Sequence, residues 1–308
     1  MRSTARYILI AAATTTVMAI ASLPASATYP GTNGEIVYGA AAGEVRAMSP
    51  DGSGDHLFSS LKGFIEDVSF SSDGTKAAVV NYTGPGARIV LLDLVKDTWS
   101  VVLPAYRAPA QVLSSVALSP GGRRVAFSDG NYPMHLFTIR VDGTGFTKIA
   151  NGYGYPDWGS NGRIVAQKGI FHGDGKRLIT TMDPNGGNQK VIATFPPVHE
   201  SWNRLYVLVP SWAPDASAVV FAAQRFRIHP DIWWVGADGS NLHKLTDTFA
   251  RSEYGPIFSP DGTEIVFPLL DPQATHSDLW LMDLNGTILG QLTDTPADDE
   301  NPLAWQPV

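Results

Sequence analysis

The chain of 308 residues contains no cysteine. That excludes a disulfide framework, thiolate metal centres, a cysteine nucleophile and a lipidated cysteine anchor, and it leaves packing alone to hold the fold. Basic residues are in the minority, 22 Lys and Arg against 29 Asp and Glu, for a formal net charge of -7. A sequence-independent nucleic-acid binder is normally basic, so nucleic acid is not an expected partner. Charged residues make up only 17% of the chain and hydrophobic ones 44%, which excludes disorder and supplies a core. The sequence lacks H-E-x-x-H, a P-loop, G-x-G-x-x-G, an EF-hand loop and a G-x-S-x-G elbow. His199-Glu200 is not followed by a second His at the zincin spacing. Beyond the N-terminal segment there is no helical periodicity, and no run approaches the 18 apolar residues of a membrane span.

What is present begins with an export signal. Arg2 and Arg6 form a positive start, Tyr7 to Leu23 is apolar or small, and Pro24-Ala25-Ser26-Ala27 places small residues where signal peptidase needs them. Cleavage is expected between Ala27 and Thr28, giving a signal peptide over 1–27 and a mature domain over 28–308 with no membrane anchor. The expected location is outside the cytoplasm: extracellular, cell envelope or periplasm.

The mature part repeats itself. An apolar anchor, a Ser/Pro/Asp/Gly turn and an alternating apolar strand recur at Phe70, Leu118, Trp158, Trp212 and Phe258, with a last anchor at Trp305. A second phrase follows in each unit, as in Ile232-Trp233-Trp234-Val235, Asp238-Gly239 and Leu242 to Thr246. Asp-Gly and Asn-Gly supply the positive φ of tight hairpins, so each unit reads as four short antiparallel strands. Units of this size are propeller blades. Asn301 to Pro307 supplies a first strand with no second, while Asn33 to Tyr38, Val45 to Met48 and Asp51-Gly52 supply the rest of a blade with no first. The pattern therefore predicts an all-β, six-bladed propeller of four-stranded antiparallel blades, closed by a composite blade from both chain ends, which removes the unpaired sheet edges of an open ring. Trp158, Trp212, Trp305, Trp233 and Trp280, at repeat-equivalent positions, are expected in the core between blades.

These phrases resemble the TolB-like six-bladed propellers built from PD40, WD40-like repeats. The residues that carry the resemblance are Ser259 to Phe267, Asp278 to Asp283, Ala237 to Thr246 and Leu292-Thr293-Asp294, and it extends over 33–308. It implies the propeller fold without the additional N-terminal α/β domain of TolB. Because such repeats serve many roles, it implies no single activity.

The most site-like feature is a paired H-x-D: His229-Pro230-Asp231 and His276-Ser277-Asp278, each just before the third strand of neighbouring blades. Two imidazoles and two carboxylates on one face are chemically able to hold a divalent metal or to act as an acid–base pair. Alternatively, each Asp is a polar residue bonded to loop backbone. The other blades carry Glu44, Arg88, His135 and Leu178 at the Asp position, so no ring of ligands is expected and no cofactor is required. Longer loops share this face. Val198 to Pro210 brings Trp202 and Arg204; Arg225 and Arg227 precede His229; Arg251 and Glu253 precede Phe258; Asp298-Asp299-Glu300 reads as a solvated turn. An aromatic among Arg, amide and carboxylate groups suits a protein, peptide or glycan ligand. The expected function is a secreted, non-catalytic binding or scaffold propeller using this face. The alternative is a small extracellular glycan or lactone hydrolase or lyase with His/Asp loops at the channel mouth.

Overall fold

The computed structural model describes residues 29–308 except 41–42, 85, 110–111, 132, 170–175, 196–208, 224–228, 249–250, 272, 275 and 296–298. These residues form six antiparallel sheets arranged as the blades of a propeller. Blades 1 to 5 follow in chain order over 64–103, 113–151, 153–195, 211–244 and 252–291. Blade 6 is the expected composite. Its inner strand is Asn301–Pro307, paired with Asn33–Gly39 and then with Val45–Met48 and His56–Leu57. The register places Ile36 opposite Trp305 and Val37 opposite Ala304.

The turns explain why the strands start and stop where they do. In Ser71-Ser72-Asp73-Gly74 the amide of Gly74 donates to the Ser71 carbonyl, and Gly74 takes a φ of 63°. The Asp73 carboxylate accepts the Ser71 hydroxyl at 2.6 Å and the Thr75 amide at 3.1 Å, which holds its pKa below the usual carboxylate range. Ser259 and Asp261 repeat this arrangement. The Asp–Gly turns are thus closed by their own backbone. In blade 1, where the outer hairpin has no glycine, Asp97 adopts the positive φ, and the Asp93 carboxylate accepts the Lys96 amide.

Each blade is buried against its neighbours. The six anchors Phe70, Leu118, Trp158, Trp212, Phe258 and Trp305 are all buried. Six larger hydrophobic clusters each join two consecutive blades, and the last joins Ile257, Val266 and Leu279 of blade 5 to Ile36, Met48 and Trp305 of blade 6. Trp233 is buried with the anchors, whereas Trp280 is only half-buried, at the margin of the blade 4–5 cluster. Closure is tight. A Cβ on Gly74 would collide with the carbonyl oxygen of Pro307, and the Trp305 indole donates to the Gly34 carbonyl at 3.1 Å.

The innermost strand of a blade has no strand partner on its channel side, so its amides need other acceptors. Side chains of the preceding blade supply some of them. Asp67 accepts the Val116 amide at 2.7 Å, Ser69 the Leu118 amide at 2.9 Å, and Asp157 the Trp212 amide at 2.6 Å. Asp67 and Asp157 are fully buried, and desolvation raises both pKa values. Tyr29, the first described residue, is buried too, with its hydroxyl donating to the Leu118 carbonyl. From there the chain runs outward as Gly31 donates to Pro260 and Thr32 pairs with Val308.

Candidate functional site

The candidate face carries the connections between second and third strands and between successive blades. Trp202, Arg204, Arg225 and Arg227 lie outside the described residues. His229, Asp231, Arg251, Glu253, His276 and Asp278 are described, and the fold distributes them over two junctions: blades 4–5 and blades 5–6.

At the blade 4–5 junction Asp231 is nearly buried. It accepts the Thr248 amide at 3.2 Å and an ion pair from Lys244 at 2.6 Å. Thr246 accepts the Ile232 amide at 2.9 Å and its own hydroxyl donates to Glu253 at 2.9 Å, and Thr248 donates to the other Glu253 oxygen at 2.7 Å. The Glu253 amide donates to the Pro230 carbonyl. Glu253 is 1% exposed, and burial pushes its pKa up to about 7 despite the two hydroxyl bonds; Asp231 adds to the rise and Arg251 opposes it. His229 turns to Ser252, with Nδ1 2.9 Å from the hydroxyl, and Arg251 reaches Asp271 at 3.2 Å.

The blade 5–6 junction repeats this wiring. Asp278 accepts the Thr295 amide at 3.2 Å, the Leu279 amide donates to Thr293 at 2.9 Å, Thr295 donates to Glu300 at 3.0 Å, and the Glu300 amide donates to the Ser277 carbonyl. Gln291 takes the place of Lys244 beside the Asp.

The carboxylates of the two H-x-D motifs are therefore engaged in fastening the third strand to the connection that leads into the next blade. Among the described residues no three His, Asp or Glu side chains converge as a metal site. The solvated turn expected at 298–300 is corrected at Glu300, which is buried; Asp299 is exposed, as expected, while accepting the Ser277 amide at 3.0 Å, and Asp298 lies outside the described residues. Glu253, expected among loop groups open to a ligand, is likewise buried. The sequence did hold a signal for this: Thr246, Thr248 and Glu253 recur as Thr293, Thr295 and Glu300 at the same spacing. A residue that sequence reasoning missed is Arg177, at the start of a third strand. It is buried, and desolvation lowers its pKa to about 10.

No family model matches the chain. The Tol-Pal system protein TolB of Anaeromyxobacter dehalogenans (strain 2CP-C) is 30% identical over 113 residues, 37% of this chain and 23% of that protein. The chain thus spans about a quarter of the length of the curated relatives it matches. Among solved structures, TolB from Acinetobacter baumannii superposes with a TM-score of 0.70 at 16% identity, covering 89% of this chain and 66% of that one. A putative TolB from Agrobacterium tumefaciens gives 0.65 at 19% identity, covering 89% and 100%. At these identities the structural likeness is one of fold. Sequence similarity to TolB over part of the chain and fold similarity over most of it agree: this chain is a six-bladed β-propeller that resembles the propeller of TolB.

Proposed function

We propose that the chain is an exported, non-catalytic binding or scaffold propeller that engages a protein, peptide or glycan through its long-loop face. The observation that carries this reading is the wiring of the two H-x-D motifs. Asp231 and Asp278 accept backbone amides, and Glu253 is enclosed by two threonine hydroxyls, so these groups hold the scaffold while the loops beside them are left for recognition. The TolB-like fold supports a binding or scaffold role in general. The kind of ligand, the export and the choice of face are our reading. A photocrosslinking amino acid at His276, on the long-loop face, and another at Asp142, in an outer hairpin of blade 2, test it in producing cells. Crosslinked adducts at position 276 and none at 142 are expected. Adducts at 142 alone would overturn the choice of face, and protein retained in the cytoplasm would overturn export.

A further inference from the structure

The opposite face, built from the Ser-Pro-Asp-Gly turns, carries a pocket of about 220 Å³ between blades 4 and 5. Its walls are Pro30 of the N-terminal segment, Pro214 and Pro260 of two successive turns, Phe258, Leu284 and the indole of Trp234. Asp215, Asp261 and Ser217 stand on its rim, and among the described residues no basic side chain lines it.

The pocket breaks the repeat. Pairing with the second strand places Trp234 opposite Val220. The equivalent positions of the other blades hold Ala47, Leu91, Thr138, Thr181 and Leu281, so blade 4 alone offers an aromatic face here. Phe258 packs edge-on against Trp234, with centroids 5.6 Å apart, and fixes the orientation of the indole. The two rim carboxylates differ in what they already hold. Asp261 is engaged by Ser259, Thr263 and Asn33. Asp215 is exposed and accepts only the Ser217 amide, through Oδ1, among the described residues.

We infer that this pocket takes one arginine side chain from an extended segment of a partner. The chemistry is complementary at each level. The volume lies below the roughly 300–1,000 Å³ of sites for whole small molecules, which suits a single side chain rather than a sugar chain. Apolar walls suit an aliphatic stem, and an indole face beside a free carboxylate oxygen suits a planar cation at its end. The net charge of -7 favours approach of a basic partner.

The test uses the purified protein, nuclear magnetic resonance of the indole N–H groups, and N-acetylarginine amide as probe. The Trp234 signal is assigned from Trp234→Leu, which carries the residue found at position 281. Saturable shifts of the Trp234 signal are expected with the arginine amide. They should be absent with the uncharged isostere N-acetylcitrulline amide and with N-acetylproline amide. Asp215→Asn keeps an acceptor for the Ser217 amide, so its melting temperature should hold while binding weakens about five- to tenfold. Equal binding of citrulline or proline amide, no binding of arginine amide, or undiminished binding by a folded Asp215→Asn protein would each overturn the inference. Arg251→Ala, on the long-loop face, should leave this binding unchanged, so failure here and failure of the proposed function are separate results.

Discussion

Replacing Glu253 by Gln should change stability in a pH-dependent way whose sign follows from burial. The ordinary carboxyl pKa is 4.5, and the folded protein raises it to about 7, chiefly by desolvation. The native state therefore holds this proton more tightly than the unfolded chain. Stability from this group is fully present below pH 4.5 and is lost as pH rises to about 7. The gap corresponds to about 3 kcal/mol. Gln removes that titration but not the bonding geometry. It also keeps the pattern of the protonated acid: its carbonyl can accept from Thr248, and its amide donor stands where the acid's O–H stands, beside Thr246. The variant should therefore match the parent at pH 4, where Glu253 is protonated, and be more stable by about 3 kcal/mol at pH 8. At this chain length the difference in melting temperature should swing by roughly 6 °C across that range. Differential scanning calorimetry of both proteins at matched pH checks it, and their difference cancels the contributions of Asp67, Asp157 and the other groups they share. A constant offset between the two proteins from pH 4 to pH 8 would refute the assignment of a buried, protonatable Glu253.

Three further expectations address the scaffold. Gly74→Ala should destabilise severely, because a Cβ would strike the Pro307 carbonyl at a φ of 63°; a melting temperature equal to the parent would contradict the packing of blade 1 on the C-terminal strand. Deleting residues 299–308 removes the inner strand of blade 6 and the Trp305 anchor, so cooperative melting should be lost or aggregation through the opened edge should appear in light scattering. Asp157→Ala should cost about 1–3 kcal/mol in denaturant unfolding by orphaning the Trp212 amide, while Asp157→Asn, which keeps an acceptor, should cost less; the reverse order would show that the bond across blades 3 and 4 is not what Asp157 supplies.

The ring was legible because its determinants are local. A turn such as Ser259-Pro260-Asp261-Gly262 reveals itself through residue types that satisfy one another within five positions, and Asn301 to Pro307 reveals itself as a strand without a successor. The roles of polar side chains were harder to read. The pattern exposed Asp231 and Asp278 as equivalent, yet residue type does not say whether a carboxylate faces a ligand or a backbone amide. The partners Thr248 and Thr295 lie 17 residues further along, across the outer strand. Asp67 and Asp157 were less visible still. They occupy different places relative to their anchors, three residues before Phe70 and one before Trp158, so no alignment of repeats makes them a pair. Only the approach of neighbouring blades shows that both cap the open edge of the next inner strand.

This difference bears on where a propeller can acquire specificity. Polar groups that recur from blade to blade, such as Asp231 with Thr246, Thr248 and Glu253, are tied to the blade junctions, and changing them alters stability wherever they occur. Positions that depart from the repeat without carrying the polar wiring of a junction are free of that constraint. Trp234 is one: its equivalents range from Ala47 to Leu281, and its indole is half-buried beside the prolines of two turns. A sixfold scaffold becomes a directional one through such departures, because a partner can tell one blade from the next only where the blades differ. Blades 4 and 5 join to blades 5 and 6 through nearly the same wiring on the long-loop face, yet on the turn face they differ by an indole. Recognition that depended on the shared wiring would fit both junctions alike, whereas recognition that includes Trp234 has one place to go.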